Sequence, residues 1–462
     1  MRRITHPEQH RFFGPRSFYR EAVLVMLPVM LQQMANSLFN FIDNLMVGMV
    51  DAPTLAGVSV ANRVFLIFNG LFWGLTGTGA ALIAQFYGAD DREECDRIFL
   101  LQIMAGLFIG AVFTGLLTFF PREILTFFIK DPVTISHGLA YTDLIRFSYL
   151  PAAFTMVCLF SLRAIGHNHM PLITGSMAML VNVFLNWVLI FGNLGAPAMG
   201  ARGAALATLI ARLLEASAYL VWIGAGKTLF SWQFRLLGQL KARVALMALR
   251  KVVPLTANEF LYTSGLSVMF WSYSQINESA IPALVISEQA TQLLLVVFGG
   301  MGTGVSILVG TRLGAGQFDQ ARLNARLLLV FLGLVAIGVT IIALVLSPFV
   351  PRLFAVPDAM RHLATQLIII QAIFVTPWIM HAVIFFSLRA GGAMRSALMI
   401  DAVYMWLMPI PAAIGMALWR PPFLVQNLVV VFLIVQFLFQ LHLLPAWLVF
   451  RRGTWVKNLT AG

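Results

Sequence analysis

The sequence predicts an all-α polytopic membrane protein, with twelve transmembrane helices in two six-helix bundles related by a parallel pseudo-twofold repeat. Three observations lead there. The 462 residues are 60% hydrophobic and only 11% charged, whereas an ordinary soluble domain is about 25% charged. The apolar residues fall in runs of about 20 or more, the length of a helix that crosses a bilayer. The chain also matches itself at one fixed offset of 226 residues. A mean hydropathy of +0.86 agrees with lipid as the main solvent, because a soluble globule of this length needs far more polar surface. The two cysteines, Cys95 and Cys158, have no metal-ligand spacing and imply no disulfide framework.

Twelve runs read as spans: 22–48, 54–86, 98–120, 140–162, 171–192, 201–223, 247–272, 281–311, 326–349, 363–388, 396–418 and 424–449. Their continuous apolarity marks helices, since barrel strands alternate over about ten residues. The first run carries Gln32, Gln33, Asn36, Asn40, Asp43 and Asn44. That is a poor signal-peptide core with no small-residue cleavage site after it, so it reads as a retained span. Of the 31 Lys and Arg, 22 fall in loops on one side and six on the other, with Arg63, Arg146 and Arg212 within or at the ends of spans. The positive-inside rule then puts both termini in the cytoplasm, in a cell inner (plasma) membrane. The same asymmetry explains the net charge of +12 without nucleic acid as a partner.

The repeat recurs at separate places in one register. Phe160-Ser161-Leu162-Arg163-Ala164 returns as Phe386-Ser387-Leu388-Arg389-Ala390, Gly166 as Gly392, and Gly88-Ala89 as Gly314-Ala315. Pro28 matches Pro254, Pro151 matches Pro377, and Phe128 matches Phe354. The expected organisation is a cytoplasmic arm (1–20), a first lobe (21–223), a charged cytoplasmic linker (224–246), a second lobe (247–450) and a cytoplasmic tail (451–462). Each lobe starts on the same side, so the repeat axis lies along the membrane normal, and a midplane cavity opened to alternate sides is the expected mode of action. Pro28, early in span 1, removes a backbone donor and is the expected hinge.

Polar residues inside the apolar runs point to a site. Asp43 is the sharpest signal, because an ionisable residue in a span costs about 3 kcal/mol unless it faces a cavity or a partner. Gln33, Asn36, Asn40, Asp43 and Asn44 recur at spacings of three and four and form one polar face. Asn182 and Asn186 in span 5 are four apart, and their amides can hydrogen-bond a carboxylate or ligate a cation through oxygen. In the second half the candidates for substrate or a second ion are Glu259, Glu288, His381, Asp401 and Tyr404. Met269 takes the place equivalent to Asp43, so the two lobes are expected to differ in chemistry. The 22 Met and 38 Phe suit either an adaptable apolar cavity or packing and lipid contact.

Several motifs mislead. Gly226-Lys227-Thr228 imitates the end of a phosphate-binding loop, but Val221 stands where the first glycine is needed. Gly300, Gly302 and Gly304 imitate a dinucleotide pattern inside a span and suit close helix packing. His167-Asn168-His169 fits a solvated turn, and the Asn458-Leu459-Thr460 sequon falls on the cytoplasmic side.

From about residue 18 to 450 the pattern resembles the MATE family, the multidrug and toxic compound extrusion transporters. The resemblance rests on Leu27-Pro28 followed by Asp43, on Ala84-Gln85-Phe86-Tyr87-Gly88-Ala89, and on Leu162-Arg163-Ala164-Ile165-Gly166. It rests also on the Asn182 and Asn186 pair and on Gly203-Ala204-Ala205-Leu206-Ala207-Thr208. It implies export of organic cations, drugs or other amphipathic small molecules against an inward flow of H⁺ or Na⁺, with no other cofactor. It implies that Asp43, Asn182, Asn186 and Thr208 form the cation-coupling site, and that Glu259 falls where other members carry an acid in span 7. Trp378 departs from the family, replacing an acid that some members have in span 10. A secondary transporter rather than an enzyme is expected, monomeric and in contact with membrane lipid. The alternative is a lipid-linked oligosaccharide or lipid flippase, which would favour a basic cavity for phosphates, for which Arg63 and Arg146 are the candidates. A polytopic membrane enzyme would want clustered acids or histidines near one face, and the polar residues are scattered.

Overall fold

The computed structural model describes residues 13–88, 90–167, 169–226, 230–231, 242–294, 301–302, 304–391, 393–419 and 427–456. Residues 1–12, most of the linker, Ala89, Lys227, Thr228, Asn168, Gly300, Gly392 and the 458–460 sequon lie outside the described residues. The helices are α1 (Arg16–Gly48), α2 (Ala52–Gly88), α3 (Arg92–Phe119), α4 (Pro121–Phe128), α5 (Pro132–Ile145), α6 (Tyr149–Ala164), α7 (His169–Phe191) and α8 (Ala201–Gly224). They continue with α9 (Ala242–Ile276), α10 (Ile281–Leu294), α11 (Thr311–Gly314), α12 (Phe318–Leu346), α13 (Asp358–Ala390) and α14 (Met394–Leu398). The last are α15 (Tyr404–Leu407), α16 (Pro409–Trp419), α17 (Leu428–Gln440) and α18 (Leu443–Arg452). Among the described residues there is no strand, and nine stretches are long and apolar enough to cross a membrane. The expected first, seventh and eighth spans are not among the nine; the first two carry the polar residues Asp43 and Glu259, and the third includes positions 295–300 outside the description.

Helix ends follow local chemistry. The Asp91 carboxylate accepts from the Glu94 amide (3.1 Å) to start α3, and Arg97 one turn on pairs with Glu94 at 2.6 Å. Asp131 caps α5 by accepting from the Thr134 amide (2.8 Å) and hydroxyl (2.7 Å), with Pro132 at the first helical position. Those bonds hold the Asp131 carboxyl below the usual carboxylate range.

The 226-residue repeat is carried by backbone geometry. His167 N–H bonds Leu162 O at 2.9 Å, and Ala393 N–H bonds Leu388 O at 2.9 Å. Asp91 N–H bonds Phe86 O at 3.0 Å, and Gln317 N–H bonds Arg312 O at 2.8 Å. In those last two turns Asp90 and Gly316 both adopt positive φ, 57° and 71°, the conformation that lets a helix terminate by folding its next amide back on the last carbonyls. Even a side-chain bond repeats: the Thr114 hydroxyl donates to Arg146 O (3.1 Å) and the Thr340 hydroxyl to Ala372 O (3.0 Å).

Two expected spans are less regular than apolarity suggested. Span 11 (396–418) comprises α14, a π-turn at Met399–Val403, α15, and a break at Met408 (φ −124°, ψ −72°) before α16. Met408 precedes Pro409, and proline disfavours helical backbone at the residue before it. Span 12 is interrupted at Leu441–His442 between α17 and α18. Helix α9 is described from Ala242, within the stretch 224–246 expected as linker.

Packing divides the chain into two compact units, one from Ile42 to Ser274, the other made of the described residues up to Phe41 together with those from Gln275 onward. The packing units differ from the sequence halves in the placement of α1 and α9. In the Ile42–Ser274 unit the core is aromatic: Phe68, Phe72 and Phe99 are fully buried, and the Phe68 ring lies 4.6 Å from Phe72 and 5.0 Å, edge-on, from Tyr149. Here α9 lies close to α2, since a Cβ on Gly70 would meet Glu259 O at 3.0 Å. In the other unit Phe18, Ala22 and Met26 of α1 join a core of Leu328, Val383 and Leu388. Met26 fills the space left by Gly304, where a Cβ would sit 2.6 Å from its sulfur. That is the packing role expected of the span 8 glycines.

Candidate functional site

The site lies within the Ile42–Ser274 unit. It starts from the α7–α8 hairpin. The turn after α7 folds back on its own helix, with Met199 N–H bonding Leu189 O at 2.9 Å and Gly200 N–H bonding Ile190 O at 3.3 Å. Gly203 then lets α8 run against α7, because a Cβ there would sit 2.6 Å from Leu189 O. This close approach sets Thr208 of α8 opposite Asn182 of α7. The Asn182 amide is oriented so that its nitrogen donates to Asp43 Oδ1 (3.3 Å) and its oxygen accepts from the Thr208 hydroxyl (3.2 Å).

Asp43 sits in the last turns of α1 and is partly buried. Asn186, one turn beyond Asn182, also donates to Asp43 Oδ1. Asn186 is 0% exposed, and its own Oδ1 has no hydrogen-bond partner among the described residues. An amide oxygen buried without a donor is costly, and here it lies on the side chain that already holds a carboxylate. The four residues implied for ion coupling, Asp43, Asn182, Asn186 and Thr208, are therefore gathered into one hydrogen-bonded group. Pro28 lies in an uninterrupted α1, and its side chain is outside the description.

Sequence reasoning missed several neighbours. Tyr141 of α5 donates to Asn62 Oδ1 (3.1 Å) and lies within the electrostatic reach of Asp43. Arg212 of α8 also acts on Asp43 electrostatically and pairs with Glu215 at 3.2 Å. Glu215 was not singled out, although its place inside span 6 is the signal that could have found it.

The second-half candidates fall in both packing units. Glu259 packs in the Ile42–Ser274 unit, whereas Glu288, His381, Asp401 and Tyr404 belong to the other. There, buried His381 meets His442 edge-to-face (centroids 3.6 Å, 86°), and Tyr404 lies 5.9 Å from the same His442. The Tyr404 hydroxyl donates to Leu438 O at 2.8 Å. His442 was not singled out, since it sits in the α17–α18 turn within an expected continuous span. Glu288 is on α10, partly buried, and Asp401 lies in the π-turn. The arginines considered for phosphate are engaged: Arg63 covers the Phe270 ring at 3.6 Å, and Arg146 pairs with Asp143 at 2.9 Å. Among the described residues no group of three or more His, Cys, Asp or Glu is placed to hold a metal.

Comparison with known proteins agrees with this architecture. The family model described as MatE matches residues 28–188 and again 254–414, two stretches offset by the same 226 residues as the internal repeat. The chain is 26% identical over 401 residues to the multidrug resistance protein NorM of Vibrio vulnificus (strain YJ016), covering 85% of this chain and 86% of that one. It is 24% identical over 361 residues to the multidrug resistance protein PmpM of Pseudomonas aeruginosa, covering 78% and 76%. A solved structure described as the inward-facing conformation of a multidrug resistance MATE family transporter of the MOP superfamily superposes with a TM-score of 0.82 at 16% identity, over 95% of this chain and 99% of that one. With a match over most of its length, repeated in register with its own internal symmetry, the chain belongs to the MATE family of membrane transporters.

Proposed function

We propose that this chain is a multidrug efflux antiporter that exports organic cations and other amphipathic small molecules in exchange for an inward-moving H⁺ or Na⁺, with Asp43 as the coupling-ion site. The observation that carries this reading is the Asp43 carboxylate held by two amides beside a fully buried Asn186 oxygen with no partner among the described residues. Oxygen ligands around a carboxylate suit a hard monovalent cation or a proton. The names of the NorM and PmpM relatives support drug-like substrates.

In the proposed cycle Asp43 gains its cation from outside. Loss of its charge weakens the hold of Asn182 and Asn186, α1 moves about Pro28, substrate leaves, and the ion is released to the cytoplasm. One charge entering down 100 mV supplies about 2.3 kcal/mol, and a monovalent cation leaving costs the same, so a one-for-one exchange is driven by the concentration gradient of the coupling ion. Efflux of a fluorescent organic cation from proteoliposomes, with the proton and sodium gradients collapsed separately, tests the reading. One of the two collapses should stop efflux, and Asp43→Asn should remove dependence on that same gradient. An Asp43→Asn protein that still expels the dye down an ion gradient would refute the assigned role.

A further inference from the structure

Arg212 and Glu215 form an ion pair inside a membrane-spanning helix, and the coupling reading does not use them. Thr208, Arg212 and Glu215 follow one another at steps of four and three, so they lie on one stripe of α8. At one end of that stripe Thr208 donates to Asn182, which in turn donates to Asp43. Further along it Arg212 pairs with Glu215 at 3.2 Å. The Glu215 side chain is only 6% exposed, against 35% for Arg212, so the acid is the member that cannot do without its partner. Arg212 also acts on Asp43.

The charged and titratable side chains around the group are few among the described residues. Tyr141 of α5 interacts electrostatically with Asp43 and Arg212. Cys158 of α6 and Tyr219 of α8 interact electrostatically with Glu215. Arg163 of α6 acts electrostatically on Tyr219. The balance of fixed charge is thus set by Asp43, Arg212 and Glu215, which together carry one net negative charge when all are ionised.

We infer that Glu215 is a positioning residue for the coupling ion: by occupying Arg212 it leaves Asp43 in need of one monovalent cation. This rests on Asp43 being the coupling site. With Glu215 neutral, Arg212 is released to serve as the counter-charge of Asp43, and the transported cation is displaced by an internal one. With both Arg212 and Glu215 neutral, the net charge returns to that of the native group and the cation is required again. A merely structural ion pair would show no such restoration.

The test is ethidium efflux from proteoliposomes at varied external proton and sodium concentrations, reading the concentration of coupling cation at half-maximal rate. Glu215→Gln should raise it about tenfold or more, the size expected of one charge acting in a partly screened site. The double variant Arg212→Gln with Glu215→Gln should bring it back to within about threefold of the native value. A Glu215→Gln midpoint within about twofold of native, while Asp43→Asn is uncoupled, overturns this inference and leaves the coupling site standing. Gradient-driven efflux by Asp43→Asn overturns both. Where Glu215→Gln alone does not insert, the double variant decides: a native midpoint supports the charge balance, and a displacement beyond about tenfold ends it.

Discussion

The two copies of the repeat share their turns and differ in their chemistry. The Leu162–His167 and Leu388–Ala393 turns close with the same 2.9 Å bond, and Thr114 and Thr340 tie the same pair of positions in each half. Yet the positions 226 residues beyond Asp43, Asn182, Asn186 and Thr208 are Met269, Met408, Ala412 and Ile434. Every member of the polar group is apolar in the second copy. The lesson is that a duplicated helical scaffold is kept by its turn and packing residues, whereas a buried carboxylate is kept only where a whole set of donors surrounds it. A lone acid in a span is expensive, so the polar set is present together in one copy and absent together in the other.

The comparison can be broken most directly by moving the carboxylate. Met269→Asp places an acid among apolar equivalents, and it should destabilise the folded state by about 3 kcal/mol, read as lost yield and a lower melting temperature in detergent. A variant as stable as the native protein would show that the second copy also holds donors there. Removing one donor from the first copy comes next. Asn186→Leu should weaken coupling-ion binding by about 2 kcal/mol, seen as a tenfold or greater rise in the cation concentration for half-maximal efflux with dye binding retained. Gly203→Ala should cost about 1–3 kcal/mol by forcing α8 away from Leu189, and its efflux defect should resemble that of Asn186→Leu because the same hairpin sets Asn182 against Thr208. The smallest effects sharpen the shared part: Thr114→Val and Thr340→Val should each cost about 1 kcal/mol, and melting temperatures lowered by unequal amounts would argue against equivalent scaffolds. Asp131 adds a pH-dependent contribution, since its carboxyl is held below the ordinary value of 3.8. That stabilisation is present at neutral pH and is lost as acid protonates the cap. Asp131→Ala should therefore flatten the acid limb of a thermal-stability profile, whereas Asp131→Asn should preserve the neutral-pH cap.

Much of the candidate site was legible because its members stand out against their surroundings. Asp43 is conspicuous in an apolar run, and the four-residue spacing of Asn182 and Asn186 puts both amides on one helix face. Glu215 was not singled out, although an acid within span 6 falls under the same rule that marked Asp43. His442 was hidden: its ring partner, His381, comes from α13, and a turn within an apparently continuous apolar run leaves no hydropathy signature. The break in span 11 was readable in principle from Pro409, but apolarity masked it.

The sequence alone determined the solvent, the helices, the repeat and the presence of a carboxylate that needs a partner. Those follow from local composition and spacing, which depend on no contact between distant residues. Which helices pack together, and therefore which polar groups meet, was decided by tertiary structure. Hydropathy cannot say that α1 divides between packing units at Phe41, nor that α9 lies against Gly70 of α2, because apolar helices attract one another with little preference until close packing and hydrogen-bond geometry choose among them.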